Sequence, residues 1–210
     1  MTSVAQPTFS DDQTALPMVL KSGAVLGAIQ AVAVAAASLG FRFLDGITEL
    51  VVVVIGVSVG VGATLVLPGM GTKARTIEGI AGAAGVGLWA SFIFMLIDVA
   101  VLQPTGTWTN RWLAIGGGSN WWQHPVWWMA GTYLAWMGAW GLARQKAKGG
   151  DGSPAAYLAT VVVAALAIGA LAAFIGFPGA AIGLGTFGVA ILPAAASATF
   201  LVGMGRRSGV

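Results

Sequence analysis

The chain has 210 residues, of which 8% are charged and 57% hydrophobic, against about 25% charged in ordinary soluble domains. With a mean hydropathy of +0.86 and several near-chargeless runs of about twenty residues, enough to cross a hydrocarbon core of about 30 Å, this excludes a soluble enzyme and implies a membrane protein. There is no cysteine, which removes disulfides, thiol nucleophiles and thiolate metal sites; the pI near 9.7 comes from basic loop residues and not from a nucleic-acid-binding face.

In chain order, residues 1–16 form a polar, acidic stretch without the basic start of a signal peptide and are expected to be a cytoplasmic tail. Residues 17–205 form the membrane domain and 206–210 a short basic tail. Six spans are predicted at about 18–40, 49–69, 79–102, 124–143, 155–176 and 183–203. The last two come from a chargeless stretch, 152–205, which is too long for one span and is divided by "FPG" at 177–179. The spans must be helices, because backbone groups in lipid need internal partners.

Six spans put Lys21, Lys73, Arg75, Arg144, Lys146, Lys148, Arg206 and Arg207 on one side and leave Arg42 and Arg111 on the other. That bias predicts both termini in the cytoplasm of a bacterial-type inner (plasma) membrane. The expected fold class is therefore an all-α integral membrane protein of six transmembrane helices, N-in and C-in, with a long tryptophan-rich outer loop between the third and fourth.

Glycine, at 32 residues, recurs at spacings of four: Gly23 and Gly27, Gly56 and Gly60, Gly179 and Gly183. Such pairs let helix backbones approach closely, and they suit internal packing first and a docking face for another subunit second. At an offset of 110, residues 51–69 fall on 161–179, pairing Pro68 with Pro178 and Gly69 with Gly179. This suggests a 3+3 inverted repeat of the kind found in transporters, although the identities are few and lie in low-complexity sequence.

Few side chains carry chemistry. Lys21 is placed where it can snorkel. Gln30, mid-span, is expected to hydrogen-bond another helix. Asp98 lies about one turn inside the outer end of the third span and is read as an interfacial acid reaching headgroup water, with a functional or subunit-contact role as the alternative. In the loop 41–50, Asp45 and Glu49 are expected to pair with Arg42 or Arg111 and not to bind metal. "GLGTFG" at 183–188 matches a dinucleotide fingerprint in form only, since it opens an apolar span.

Residues 119–140 hold six of the nine tryptophans and the only histidine. The preceding loop, 103–123, has room for a short interfacial or re-entrant helix. Trp108, Trp112, Trp121 and Trp122 belong to that loop, and Trp127, Trp128, Trp136 and Trp140 to the fourth span. Interfacial anchoring covers the outer tryptophans. Trp136 and Trp140 lie deeper, on one face with Met129 and Tyr133, where they could meet a helix, a lipid or a flat cofactor. His124, beside Pro125, reads as an interfacial hydrogen-bonder before a haem, pigment or proton ligand.

The candidate binding residues are thus His124, Trp121, Trp122, Trp127, Trp128, Trp136, Trp140 and Asp98, with no catalytic set and no metal site. The expected function is a non-catalytic transmembrane subunit of a larger energy-converting or photosynthetic complex, with lipid bilayer and other membrane subunits as partners and lipid, quinone or pigment as contacts. The alternative is a small channel, transporter or importer subunit for an apolar or aromatic solute, with an outer site near Asp98, His124 and the tryptophans.

Overall fold

A computed structural model describes residues 13–114, 123–148 and 152–204. Most of the polar N-terminal tail and the basic residues 206–210 lie outside them. Among the described residues the structure is all helical, in the order α1 (Leu16–Phe43), α2 (Gly46–Gly71), α3 (Ile77–Ile97) with a π-helical continuation Asp98–Leu102, α4 (Asn110–Ala114), α5 (Gln123–Lys146), α6 (Pro154–Phe174) and α7 (Leu184–Gly203). Five helices, α1, α2, α3 with its π-helical end, α6 and α7, are long and apolar enough to cross a membrane, and they point to a multi-pass membrane protein.

The fourth predicted span, α5, is 24 residues long, about 36 Å at the rise of an α-helix, but it is the least apolar of the long helices. Its ends lower its apolarity, with Gln123 and His124 at one and Arg144, Gln145 and Lys146 at the other. It packs on α3, α2 and α7. The bundle is a cluster of α1, α2, α3 and α5, with the α6–α7 hairpin attached along the other side of α5. The largest core, formed by Leu65, Leu134, Met137, Tyr157, Val161 and Ala195 among others, lies where α2, α5, α6 and α7 meet.

Glycines make these contacts close. A methyl at Gly138 of α5 would collide with the Leu65 carbonyl oxygen of α2, and one at Gly87 of α3 would lie 2.6 Å from the Gly131 carbonyl oxygen of α5. Gly23 and Gly27 press α1 onto α3, with a Cβ on Gly27 only 2.6 Å from the Ala90 carbonyl oxygen, and Gly56 presses α2 onto Ala33 of α1. In lipid, where apolar side chains gain little by leaving their surroundings, such backbone proximity is the main source of packing energy. Gly179 and Gly183 do not follow the pattern. Added methyls there would meet nothing within 4 Å. The two residues flank the turn between α6 and α7, where Gly179 has a φ of +80°.

The helix ends alternate between two ends of the bundle. Gln13, before α1, donates its N–H to the Thr72 carbonyl after α2 (2.8 Å), and Tyr157, at the start of α6, meets Thr199, near the end of α7. These contacts define a termini end and, opposite it, a distal end.

The 110-residue offset does not carry into this packing. α1 lies along α2, but α5 barely touches α6. Pro68 lies inside α2, which runs on to Gly71, whereas α6 stops at Phe174, short of Pro178. The shared Pro-Gly therefore sits in a helix in one half and in a turn in the other.

Close approach at α5 makes a direct prediction. Gly138→Ala should destabilise the protein in detergent by at least the about 1–3 kcal/mol typical of overpacking, because the obstacle is backbone. Gly62→Ala, at a position with nothing within 4 Å, should leave the melting temperature unchanged; equal melting of the two variants would refute this packing.

Candidate functional site: the distal cap and the tryptophan face

Asp98 begins the π-helical segment and is 2% exposed. Its carboxylate does not reach headgroup water. One oxygen accepts from Gln103 Nε2 (2.7 Å) and the other from Trp108 Nε1 (2.6 Å). The π geometry makes the first bond: a wider turn brings the residue five positions on over Asp98, and the Gln103 backbone N–H also donates to the Asp98 carbonyl (2.9 Å). A carboxylate held by two directed donors is stabilised where desolvation would otherwise be costly.

The chain beyond Leu102 folds back as a cap over the distal ends of α1 and α2. Ser38 Oγ donates to the Thr107 carbonyl, and Arg111 of α4 pairs with Glu49 of α2, as the loop charges led one to expect. Trp112 is buried at 3% exposure beside Ala37 and Val53, edge-on to Phe41 (5.3 Å) and to Trp108 (5.1 Å). This corrects the interfacial reading of Trp112. Its ring is core that joins α4 to α1 and α2, and its Nε1 has no hydrogen-bond partner among the described residues.

Trp121 and Trp122 lie outside the described residues. His124 and Trp127 fall on the first turns of α5, but their side chains lie outside the description too. Trp128 is 42% exposed and directs Nε1 to Met95 Sδ (2.6 Å), one turn from Asp98 along α3. Trp136 and Trp140 belong to the other half of the bundle. They stack on each other at 6.0 Å, and Trp140 meets Phe200 of α7 edge-on at 5.9 Å. The Arg144 guanidinium sits 5.4 Å from the Trp140 ring and 5.8 Å from Phe200, and donates to the Thr199 carbonyl (3.3 Å).

The deep tryptophans of the sequence reading therefore belong to the termini end. Trp140 is one turn from Arg144 and gains a cation–π contact with it. Asp98 and Trp128 gather at the distal end, and Trp136 with Trp140 form a second, separate cluster. The i, i+4 spacing of Trp140 and Arg144 could have revealed the latter pair; nothing in the sequence marked Trp108 and Gln103 as the donors to Asp98.

Elsewhere polar groups bridge helices, as expected for Gln30, which donates to Thr64 Oγ1 (2.8 Å). Tyr133 Oη donates to the Leu192 carbonyl (2.8 Å). Tyr157, fully buried, shares a hydrogen bond with Thr199 (3.0 Å), whose hydroxyl also reaches the Met137 carbonyl. Among the described residues no group of three or more His, Asp or Glu is placed to hold a metal. The glycines of "GLGTFG" open α7 after a turn, without the strand a dinucleotide site requires. Comparison with protein-family models, with curated proteins and with solved structures returned no match.

The two halves of the cap should differ in strength. Trp108→Phe removes a directed donor from the buried Asp98 carboxylate and should cost about 1–3 kcal/mol. Glu49→Gln breaks a pair whose arginine is 56% exposed and should cost no more than about 1 kcal/mol. Thermal unfolding of the two variants in detergent measures the order, and the reverse order would remove Asp98 from the centre of the cap.

Proposed function

We propose that the chain is a non-catalytic, six-span subunit of a larger inner-membrane assembly, with both termini in the cytoplasm and α5 as the fourth span. The observation that carries this reading is the uncovered strip of α5. This helix is central to the bundle, yet Met129 is 72% exposed and Trp128 and Trp136 are 42% and 44% exposed, between α3 and α7, which flank α5 without packing extensively on each other. Asp98, Tyr133 and Thr199 are engaged inside the chain and the Thr132 hydroxyl is buried without a partner among the described residues, so the exposed side chains of the strip offer an apolar and aromatic surface. Such a surface suits the helix of a neighbouring subunit, or a quinone, pigment or lipid held between the two.

A second reading, a small channel or transporter for an apolar or aromatic solute, draws on Asp98, a buried carboxylate on a π-helical turn, a feature frequent at functional sites. Reconstituted protein that moves a solute, with the movement impaired in Asp98→Asn, would favour it.

The subunit reading predicts that the tagged chain, purified in mild detergent, brings stoichiometric partner proteins, and that Met129→Ala with Trp136→Ala reduces their recovery. Recovery of the wild-type chain alone, as a monodisperse monomer, would overturn it. The topology has its own test, made simple by the lack of native cysteine. Thr105→Cys should react with an impermeant maleimide in intact cells, and Ala147→Cys only after permeabilisation; the opposite pattern would invert the orientation.

A further inference from the structure

At the termini end, α1 and α2 draw apart. Near the distal end a Cβ on Gly40 would lie 3.1 Å from Val52, and mid-span one on Gly56 would lie 3.1 Å from the Ala33 carbonyl. At Gly71 the nearest atom of α1, Ser22 Oγ, is 3.9 Å away. The wedge left between the two helices, floored by Val86 of α3, is a cleft of about 400 Å³. That lies within the about 300–1,000 Å³ of ligand-sized sites.

Its walls are apolar below and polar above. Leu26 and Val86 are buried at the floor, while Val25 (54% exposed) and Leu67 (39% exposed) stand on the outer wall, so the cleft opens sideways toward the surroundings of the helices. At its upper rim are Lys21, which is exposed, and Ser22, whose hydroxyl donates to the weak acceptor Met18 Sδ at 3.3 Å. The segment before α1, stitched to the Thr72 carbonyl through Gln13, closes the top.

We propose that this cleft binds an anionic phospholipid, with one acyl chain in the wedge between Leu26, Leu67 and Val86 and the phosphate on Lys21 and Ser22. Three features select this occupant. The wedge is apolar and open to the bilayer, and left empty it would forfeit contact with every atom that lines it. Among the described residues its only charged lining residue is a lysine, one to two turns into α1, near the end of the helix, where a phosphate would meet it. The loops at the same end carry further cations, Lys73 and Arg75 after α2 among them, and basic pockets between helices favour anionic headgroups. The proposal rests on the membrane location of these helices and not on the subunit role, so a chain that purifies without partners leaves it standing.

The test is native mass spectrometry of the full chain released from nanodiscs that contain phosphatidylglycerol and phosphatidylcholine in equal amounts. The wild type should retain phosphatidylglycerol preferentially. Lys21→Ala should reduce that preference about five-fold, the effect of one lysine near the surface, and Lys21→Arg should keep it. Leu67→Trp, which fills the wedge, should reduce retention of both lipids, with circular dichroism and melting used to confirm that the variant is folded. Equal retention of the two lipids by the wild type, an unchanged preference in Lys21→Ala, or undiminished binding by folded Leu67→Trp would each overturn the proposal.

Discussion

The approach of α5 to α2 and α3 is the contact on which the rest of the bundle depends. Gly138 lies directly under the Leu65 carbonyl and Gly131 under Gly87, so α5 enters to backbone distance and brings Leu134, Met137 and Leu142 into the core shared by α2, α6 and α7. The α6–α7 hairpin makes few contacts with α2. Its attachment runs through α5, by way of Gly141 against the Tyr157 ring and Thr199 against the Met137 carbonyl. A side chain at Gly138 would therefore strain the α5–α2 interface beside the core that also holds the hairpin.

Around that axis, polar groups act as latches. In a membrane a hydrogen bond between helices competes with no water, yet it contributes only about 0.6–2 kcal/mol, since the separated state also finds partners. Its larger effect is on register. Gln30 on Thr64 fixes α1 against α2, Tyr133 on Leu192 fixes α5 against α7, and Tyr157 on Thr199 fixes α6 against α7. Asp98 does the same for the distal cap, where Trp108 and Gln103 tie the returning chain to the end of α3. The cap then carries Trp112 into the gap beside Phe41 and Val53. The buried acid is thus first a structural fastening, and any role in transport would have to break two hydrogen bonds.

The tryptophans that crowd one stretch of sequence do two different things. Trp128 bridges α5 to Met95 of α3, and Trp136 stacks on Trp140, which meets Phe200 and the Arg144 cation, while Trp112, outside that stretch, is core. Nearness in sequence does not make one site here. Residues 128 and 140 are separated by about 18 Å of helix rise, so the ends of α5 serve opposite ends of the bundle, and among its described side chains Trp128, Met129 and Trp136 remain well exposed.

By itself the sequence determined the class of molecule and the positions of its helices, because both follow from local quantities: length, apolarity and the interruption of helices by charge, proline and glycine. The long helices fall within a few residues of the predicted spans, Gln30 finds a neighbouring helix, and the short helix Asn110–Ala114 appears in the loop where one was expected. What only the tertiary structure decided is which surfaces meet. That Asp98 is enclosed, that Trp112 is core, that α5 is central and that α1 and α2 part at the termini end all depend on contacts between residues far apart in the chain. A composition with 57% hydrophobic and only 8% charged residues leaves too little periodic contrast to say which face of a helix will be covered.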